Sequence, residues 1–168
     1  MDDLAIIRRA IEEHHKIRGS FRLAGEAIND MEALFNLQQA HATWGQGSVA
    51  KLQETAGRLQ QTVNAIREGL NNHFGFEEKY LPPIFGKNLM AALILEHDEI
   101  RQKLQDCAAS VVADITGLPQ DKLLAYRGQI QRMVSDLSNS MESHASREEI
   151  IFRMLERALE KEKQSQTA

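Results

Sequence analysis

Apolar side chains recur along most of this chain at steps of three and four residues, the spacing that places them on one face of an α-helix. No stretch alternates apolar and polar residues for long enough to predict a β-strand. Glycine and proline interrupt the helical pattern at only a few places, and the intervals predict four helices over residues 3–41, 49–80, 88–115 and 120–160. We therefore predict an all-α protein with an up-down-up-down antiparallel four-helix bundle.

The residues between these segments have the chemistry of helix ends. Residues 43–47 form a Gly-containing break before Ser48, a suitable N-cap, and Pro82-Pro83 stops the second helix. Residues 116–119, which include Gly117 and Pro119, end the third helix. We predict a single domain over residues 1–168, in which the polar segment 161–168 is a frayed tail.

Composition and charge exclude several classes of function. The chain has 20 Lys plus Arg against 24 Asp plus Glu, so it lacks the basic surface that nucleic-acid binding requires. The longest apolar run, residues 89–95, is too short to cross a membrane, and the start of the chain has no secretory signal. A single cysteine, Cys107, excludes an internal disulfide. We expect a cytoplasmic protein with neither a nucleic-acid nor a membrane partner.

Each predicted helix has one histidine in the seam of apolar positions that should face the core: His14, His73, His97 and His144. Glu77 and Glu148 lie four residues after the second and fourth of these, on the same helix faces. Buried polar side chains are costly unless they are paired or bound to a ligand. In an antiparallel bundle all four histidines reach the same level, which predicts one shared site.

A repeated phrase supports this shared site. Residues 13–18 read Glu-His-His-Lys-Ile-Arg and residues 96–101 read Glu-His-Asp-Glu-Ile-Arg, while His73 and His144 each begin a His-x-x-x-Glu-Glu sequence. Imidazole and carboxylate without thiolate suit iron, manganese or zinc. Six side chains exceed the four ligands of tetrahedral zinc, so we predict two iron ions bridged by carboxylates, with manganese or zinc as the alternatives.

The order His, His-x-x-x-Glu, His, His-x-x-x-Glu resembles the haemerythrin-like (HHE cation-binding) family over about residues 4–159. The resemblance implies that His14, His73, His97 and His144 are terminal ligands and that Glu77 and Glu148 bridge two irons. It also implies binding of dioxygen, sensing of oxygen or iron, or handling of nitric oxide and damaged iron–sulfur clusters.

One position departs from the oxygen-carrying members of that family, which have His-x-x-x-His on the third helix. Arg101 stands at the second of these positions, and a charged guanidinium cannot ligate a metal. Either that metal keeps an open position, or His15 or Glu99 replaces the missing ligand. Arg18 and Arg101 either donate to the site from outside the ligand set or extend to solvent.

We expect the residues next to the proposed ligands to lie outside the ligand set, with contact between His15 and the site as the alternative. Glu78 and Glu149 are predicted to point away from the site, unless a rotation of their helices exchanges them with Glu77 and Glu148. His15 is predicted to be exposed, and His41 is predicted to lie far from the site.

The sequence thus predicts a di-iron protein that binds or senses dioxygen or a related small diatomic or peroxide ligand, with binding favoured over catalysis. The alternatives are an enzyme acting on peroxide or nitric oxide or repairing iron–sulfur clusters, and a structural module that the metals stabilise.

Overall fold

The computed structural model describes residues 2–40, 46–112, 114–115 and 117–166 of the chain. These residues form four α-helices and no β-strand: α1 (Asp3–Ala40), α2 (Gln46–Tyr80), α3 (Pro82–Ser110) and α4 (Gln120–Gln166). Each helix packs against the next one in the chain, and α4 closes the circle against α1. The predicted all-α four-helix bundle is confirmed. None of the described helices has an apolar stretch long enough to cross a membrane.

Ion pairs at two levels of the bundle give the relative direction of α1 and α4. Near the start of α1, Nε of Arg8 lies 2.8 Å from Oε1 of Glu156, which is late in α4. Farther along α1, Oε1 of Glu32 lies 3.1 Å from Nη1 of Arg127, which is early in α4. The two helices therefore run antiparallel, as expected for neighbours in an up-down-up-down bundle.

The apolar seams pack into two clusters that are separated along the bundle axis. The larger cluster includes the fully buried Phe35, Leu59 and Leu137, and the smaller includes Ile7 and Phe152. Burial of each such side chain stabilises the fold by about 1.5–3 kcal/mol. Between the clusters, each helix contributes a short polar segment to the core.

The start of α2 differs from the prediction. The helix begins at Gln46, so Ser48 lies inside it and is not the N-cap that the sequence suggested. Residues 43–45 of the predicted break, like His41, lie outside the described residues.

The start of α3 was predicted at residue 88, but the helix begins at Pro82. The Pro82-Pro83 pair ends α2, as predicted, and also begins α3, because proline is well accommodated in a first turn whose N–H groups have no helical partner. Gly86, at φ 73° and ψ 170°, then kinks α3 within its second turn.

The end of α3 comes earlier than the predicted residue 115. The helix stops at Ser110, and Val111 is extended, yet Val111 and Ile115 remain buried. Their backbone groups bond to α2 side chains: Nε2 of Gln60 donates to the Val111 carbonyl, and the Ile115 N–H donates to Oε1 of Gln53. The apolar spacing thus continued beyond the helix because the following segment packs on the same core.

The tail predicted to fray belongs largely to α4, which continues to Gln166. Lys163 pairs there with Asp2 at the start of α1. Thr116, within the predicted end of α3, lies outside the described residues.

The kink at Gly86 generates a test of the fold. Gly86→Ala is expected to destabilise the protein by about 1–3 kcal/mol, because φ and ψ at this position suit only glycine. No atom lies within 4 Å of an added Cβ, so the effect would come from the backbone alone. Gly69→Ala, on the exposed face of α2, is the control and should stabilise by up to about 1 kcal/mol. Equal denaturant midpoints for the two variants would contradict the assigned kink.

Candidate metal centre

The polar layer between the two apolar clusters consists of the six side chains predicted as metal ligands. His14 on α1 and His97 on α3 are 0% exposed, and so are Glu77 on α2 and Glu148 on α4. His73 and His144 are each 1% exposed. The fold therefore brings together all six residues, although they are distributed over four helices.

The two glutamates lie between the four imidazoles. Oε1 of Glu77 is 3.3 Å from Nε2 of His73 and 3.8 Å from Nε2 of His14, while Oε2 of Glu77 is 3.3 Å from Nε2 of His97. Oε2 of Glu148 is 3.3 Å from Nε2 of His14 and 3.2 Å from Nε2 of His144. Each carboxylate thus contacts imidazoles from different helices.

These contacts divide into two groups, each of which has one potential ligand atom per residue within 4.8 Å of the others. Glu77 and Glu148 belong to both groups. His14 and His73 complete one, and His97 and His144 complete the other. Each group could hold a cation, and the two groups share both carboxylates.

The inward-facing atoms have no hydrogen-bond partner among the described residues. They are the four Nε2 atoms and both carboxylate oxygens of Glu77 and Glu148. Buried polar atoms are nearly always paired, and a cluster of eight orphaned atoms is far outside that expectation. The donor set therefore fits bound cations, which would satisfy all eight atoms at once.

Burial opposes charge on the side chains of the metal-free layer, and only some of them have neighbours that compensate. Burial lowers the pKa of His73 to about 4, and the nearby His14 adds to this effect. Burial also raises the pKa of Glu77 well above its usual value, and the adjacent Glu148 carboxylate raises it further. Burial acts in the same direction on Glu148, but the neighbouring His14 and His144 outweigh it and lower the pKa of Glu148. Two ionised carboxylates side by side thus require added positive charge.

A second set of four glutamates surrounds the six side chains of this layer, which we call the inner layer. Each helix provides one of them, and each glutamate accepts a hydrogen bond from Nδ1 of the histidine on the next helix, with α4 returning to α1. The pairs are Glu13–His73 at 3.1 Å, Glu78–His97 at 2.9 Å, Glu96–His144 at 2.9 Å and Glu149–His14 at 3.2 Å. We call these four residues the outer carboxylates; with the histidines they form a closed circle around the bundle.

The prediction that Glu78 and Glu149 point away from the site is wrong. Their side chains are 29% and 12% exposed, respectively, and both turn back to a histidine. Glu13 and Glu96 were not recognised as site residues at all. A signal was present, because a glutamate precedes His14 and His97 and a second glutamate follows Glu77 and Glu148.

The remaining candidates lie outside the inner layer. Arg18 and Arg101 do not extend freely to solvent but contact the outer carboxylates Glu149 and Glu78, respectively. His15 is exposed on α1 and belongs to neither group of potential ligands. Glu99 is likewise exposed on α3 and outside both groups, so no described residue takes the place of a fifth histidine.

Two grooves reach the layer from the surface of the bundle. One, of about 400 Å³ between α1 and α4, is lined by His14, Arg18, Met141 and Ala145, among others. The other, of about 300 Å³ between α3 and α4, includes His144. Its other lining residues are mostly polar or charged: Glu96, Glu99, Lys103, Asn139, Ser140, Ser143 and Arg147. Each groove thus borders one histidine of the layer, while the histidine side chains themselves are buried.

Comparison with known families agrees with this geometry. The family model of the hemerythrin HHE cation binding domain matches residues 5–155, which include every residue of the inner layer. No curated protein and no solved structure gives a significant match to the chain.

The buried carboxylates generate a prediction for the metal-free protein. Glu77→Met is expected to raise the free energy of unfolding in the presence of a chelator by about 1–3 kcal/mol, because an apolar side chain of similar length replaces a buried carboxyl group whose oxygens have no hydrogen-bond partner among the described residues. Denaturant melts measure the change, and Glu54→Met, at an exposed position on α2, is the control and should leave the midpoint nearly unchanged.

The increase in the free energy of unfolding caused by Glu77→Met should also depend on pH. The pKa of Glu77 is higher in the folded than in the unfolded protein, so the penalty for its ionisation is absent below the ordinary pKa of 4.5 and grows as the pH rises. The stability difference between Glu77→Met and wild type should therefore be larger near pH 8 than near pH 5. A gain that shrinks over this interval would contradict the electrostatic description.

Proposed function

Since this chain belongs to the hemerythrin HHE cation-binding domain family, we propose that it holds two iron ions and binds dioxygen or a related small molecule at them. One observation carries the proposal: the two buried four-residue groups share Glu77 and Glu148. Carboxylates shared between two positions in the core of a four-helix bundle are typical of dinuclear metal sites. His14 and His73 would hold one ion, and His97 and His144 the other.

The ligand chemistry favours iron. Imidazole and carboxylate suit iron, manganese and zinc. Zinc is usually tetrahedral, so four protein atoms per ion would complete its coordination and leave no position for a small molecule. Non-haem iron held by histidine and carboxylate ligands keeps open positions at which a small molecule can bind. When bound, reduced iron supplies the electrons for chemistry with dioxygen. Arg101, which stands where oxygen carriers have a further histidine, contacts Glu78 instead. Each ion would therefore be held by two histidines.

The spaces beside His14 and beside His97 differ, which favours a small ligand at the His14 side. Ala145 follows His144 and lines the groove beside His14. The equivalent residue after His73 is Phe74, whose buried ring stacks on His97 with the ring centroids 4.1 Å apart. Phe74 thus fills the space on one side, whereas the small Ala145 leaves a groove on the other.

A second candidate function is reduction of peroxide by the same centre. The groove beside His144 favours it, because Lys103 and Arg147 and several hydroxyl and carboxylate groups line it. Such a surface would accept a polar molecule such as hydrogen peroxide more readily than an apolar gas. The two functions require different ligands but the same metals.

Metal content tests the premise common to both functions. Wild-type protein loaded with ferrous iron under anaerobic conditions is expected to retain two iron ions per chain after desalting. His144→Ala and Glu148→Gln should each lose at least one, because they remove ligand atoms from the inner layer. Elemental analysis measures the ratio, with His15→Ala as the control, since this exposed neighbour of His14 belongs to neither group. Undiminished iron in both variants, or none in wild type, would overturn the proposal.

Reaction of the reduced, iron-loaded protein then separates the two candidates. Mixing with dioxygen in a stopped-flow spectrometer is expected to change the visible absorption, and Ala145→Val should slow the change by narrowing the groove beside His14. Ala65→Val, on the exposed face of α2, is the control. An unchanged rate in Ala145→Val would contradict entry of dioxygen through the groove beside His14. Catalytic consumption of hydrogen peroxide with an added electron donor, and without a dioxygen reaction, would favour the second candidate.

A further inference from the structure

Arg101 lies one turn after His97 on α3, but it acts on a carboxylate from α2. Its Nη2 donates to Oε1 of Glu78 at 2.8 Å. The same oxygen accepts the hydrogen bond from Nδ1 of His97 at 2.9 Å. The guanidinium also lies over the ring of Phe74, 5.3 Å from its centroid. Phe74 in turn stacks on His97, so one ring contacts both the guanidinium and the imidazole.

The internal repeat places Arg18 in the equivalent position. It follows His14 by one turn on α1, and its Nη1 donates to Oε1 of Glu149 at 2.6 Å. That oxygen also lies 3.2 Å from Nδ1 of His14. A second carboxylate, Glu142, receives two further hydrogen bonds from Arg18 and holds the guanidinium in place.

The shared oxygen determines which nitrogen of each histidine carries the proton. A carboxylate that pairs with a guanidinium is ionised and can only accept hydrogen bonds. Nδ1 of His14 and of His97 must therefore carry a hydrogen. In a neutral imidazole Nε2 then has a free lone pair. In both residues Nε2 faces the inner layer, where it has no hydrogen-bond partner.

We propose that Arg18 and Arg101 are positioning residues. Each holds an outer carboxylate against Nδ1 of the histidine one turn before it, so that His14 and His97 present Nε2 as a ligand before any metal binds. Neither arginine would contact the metal. The inference rests on the proposed function for its use of the metal, but it concerns a property of the metal-free protein.

The arginines are needed because the outer carboxylates are only partly buried. Glu78 is 29% exposed, so its carboxylate is open to water as well as to the imidazole. Without Arg101, solvent would compete for this carboxylate, and His97 could adopt either tautomer. The charge-assisted hydrogen bond from the guanidinium holds the carboxylate beside Nδ1 of His97.

The tautomer provides a test that requires no metal. Long-range proton–nitrogen correlation spectra of the chelator-treated protein are expected to show His14 and His97 as Nδ1–H tautomers in wild type. Arg101→Gln should convert His97 to a mixture of the two tautomers and leave His14 unchanged, and Arg18→Gln should do the reverse. Arg101→Lys, which retains a positive charge, should restore part of the wild-type signal and provides a second variant if the glutamine variant does not fold.

Metal affinity provides the second readout. With zinc ions as the probe, in competition with a coloured chelator, Arg101→Gln is expected to weaken one of two bound ions by about 10–100-fold, as for other residues that orient ligands. Arg58→Gln is the matched control, because Arg58 makes an ion pair of 2.6 Å with Asp30, also between two helices but away from the inner layer. The control should leave affinity and tautomers at wild-type values.

The outcomes separate this inference from the proposed function. Selective tautomer changes at His97 and His14 would support it, even if wild-type protein bound neither zinc nor iron and the proposed function failed. Unchanged tautomers in both arginine variants would overturn it, whatever the metal content. Equal effects from Arg58→Gln would also overturn it, because they would show a general loss of structure.

Discussion

The structure depends on the burial of two carboxylates and four imidazoles in one layer of an apolar core. Burying such groups costs several kcal/mol for each charge unless partners compensate, and the inward atoms of this layer have no partner within the described protein. Two features compensate in part: apolar packing above and below the layer, and the outer carboxylates around it. The electrostatic cost of burying the two carboxylates remains, and bound cations would reduce it.

The outer carboxylates connect the fold to the site. Because each binds a histidine on the next helix, the four bonds fix the register of all four helices at one level. Apolar seams alone would tolerate a small axial shift, since leucine and isoleucine side chains interdigitate at more than one register. A shift of one turn would break every bond of the circle. The groups that orient the histidines are thus also the groups that align the bundle.

Much of the fold and of the candidate site could be predicted from the sequence, because both follow from helical periodicity. Three-four spacing identified the helices, and six polar residues in apolar seams identified the inner layer. The prediction and the structure differ where one local sequence feature is compatible with two structures. Pro82 ends one helix and begins another, and Ile115 keeps the seam spacing outside any helix. Glu78 and Glu149 were assigned outward because periodicity gives the direction of Cβ but not the reach of a long side chain.

The sequence by itself determined the helical class and the residues that face the core, because both depend on positions along a single helix. The short breaks between helices determined the antiparallel order. Only the tertiary structure decided which carboxylate meets which imidazole, because those contacts join residues on different helices and depend on rotamers. It likewise decided that Arg101 contacts Glu78 and that Ala145 borders a groove where Phe74 fills the equivalent space. Such choices depend on the space left between packed helices, which no single stretch of the chain specifies.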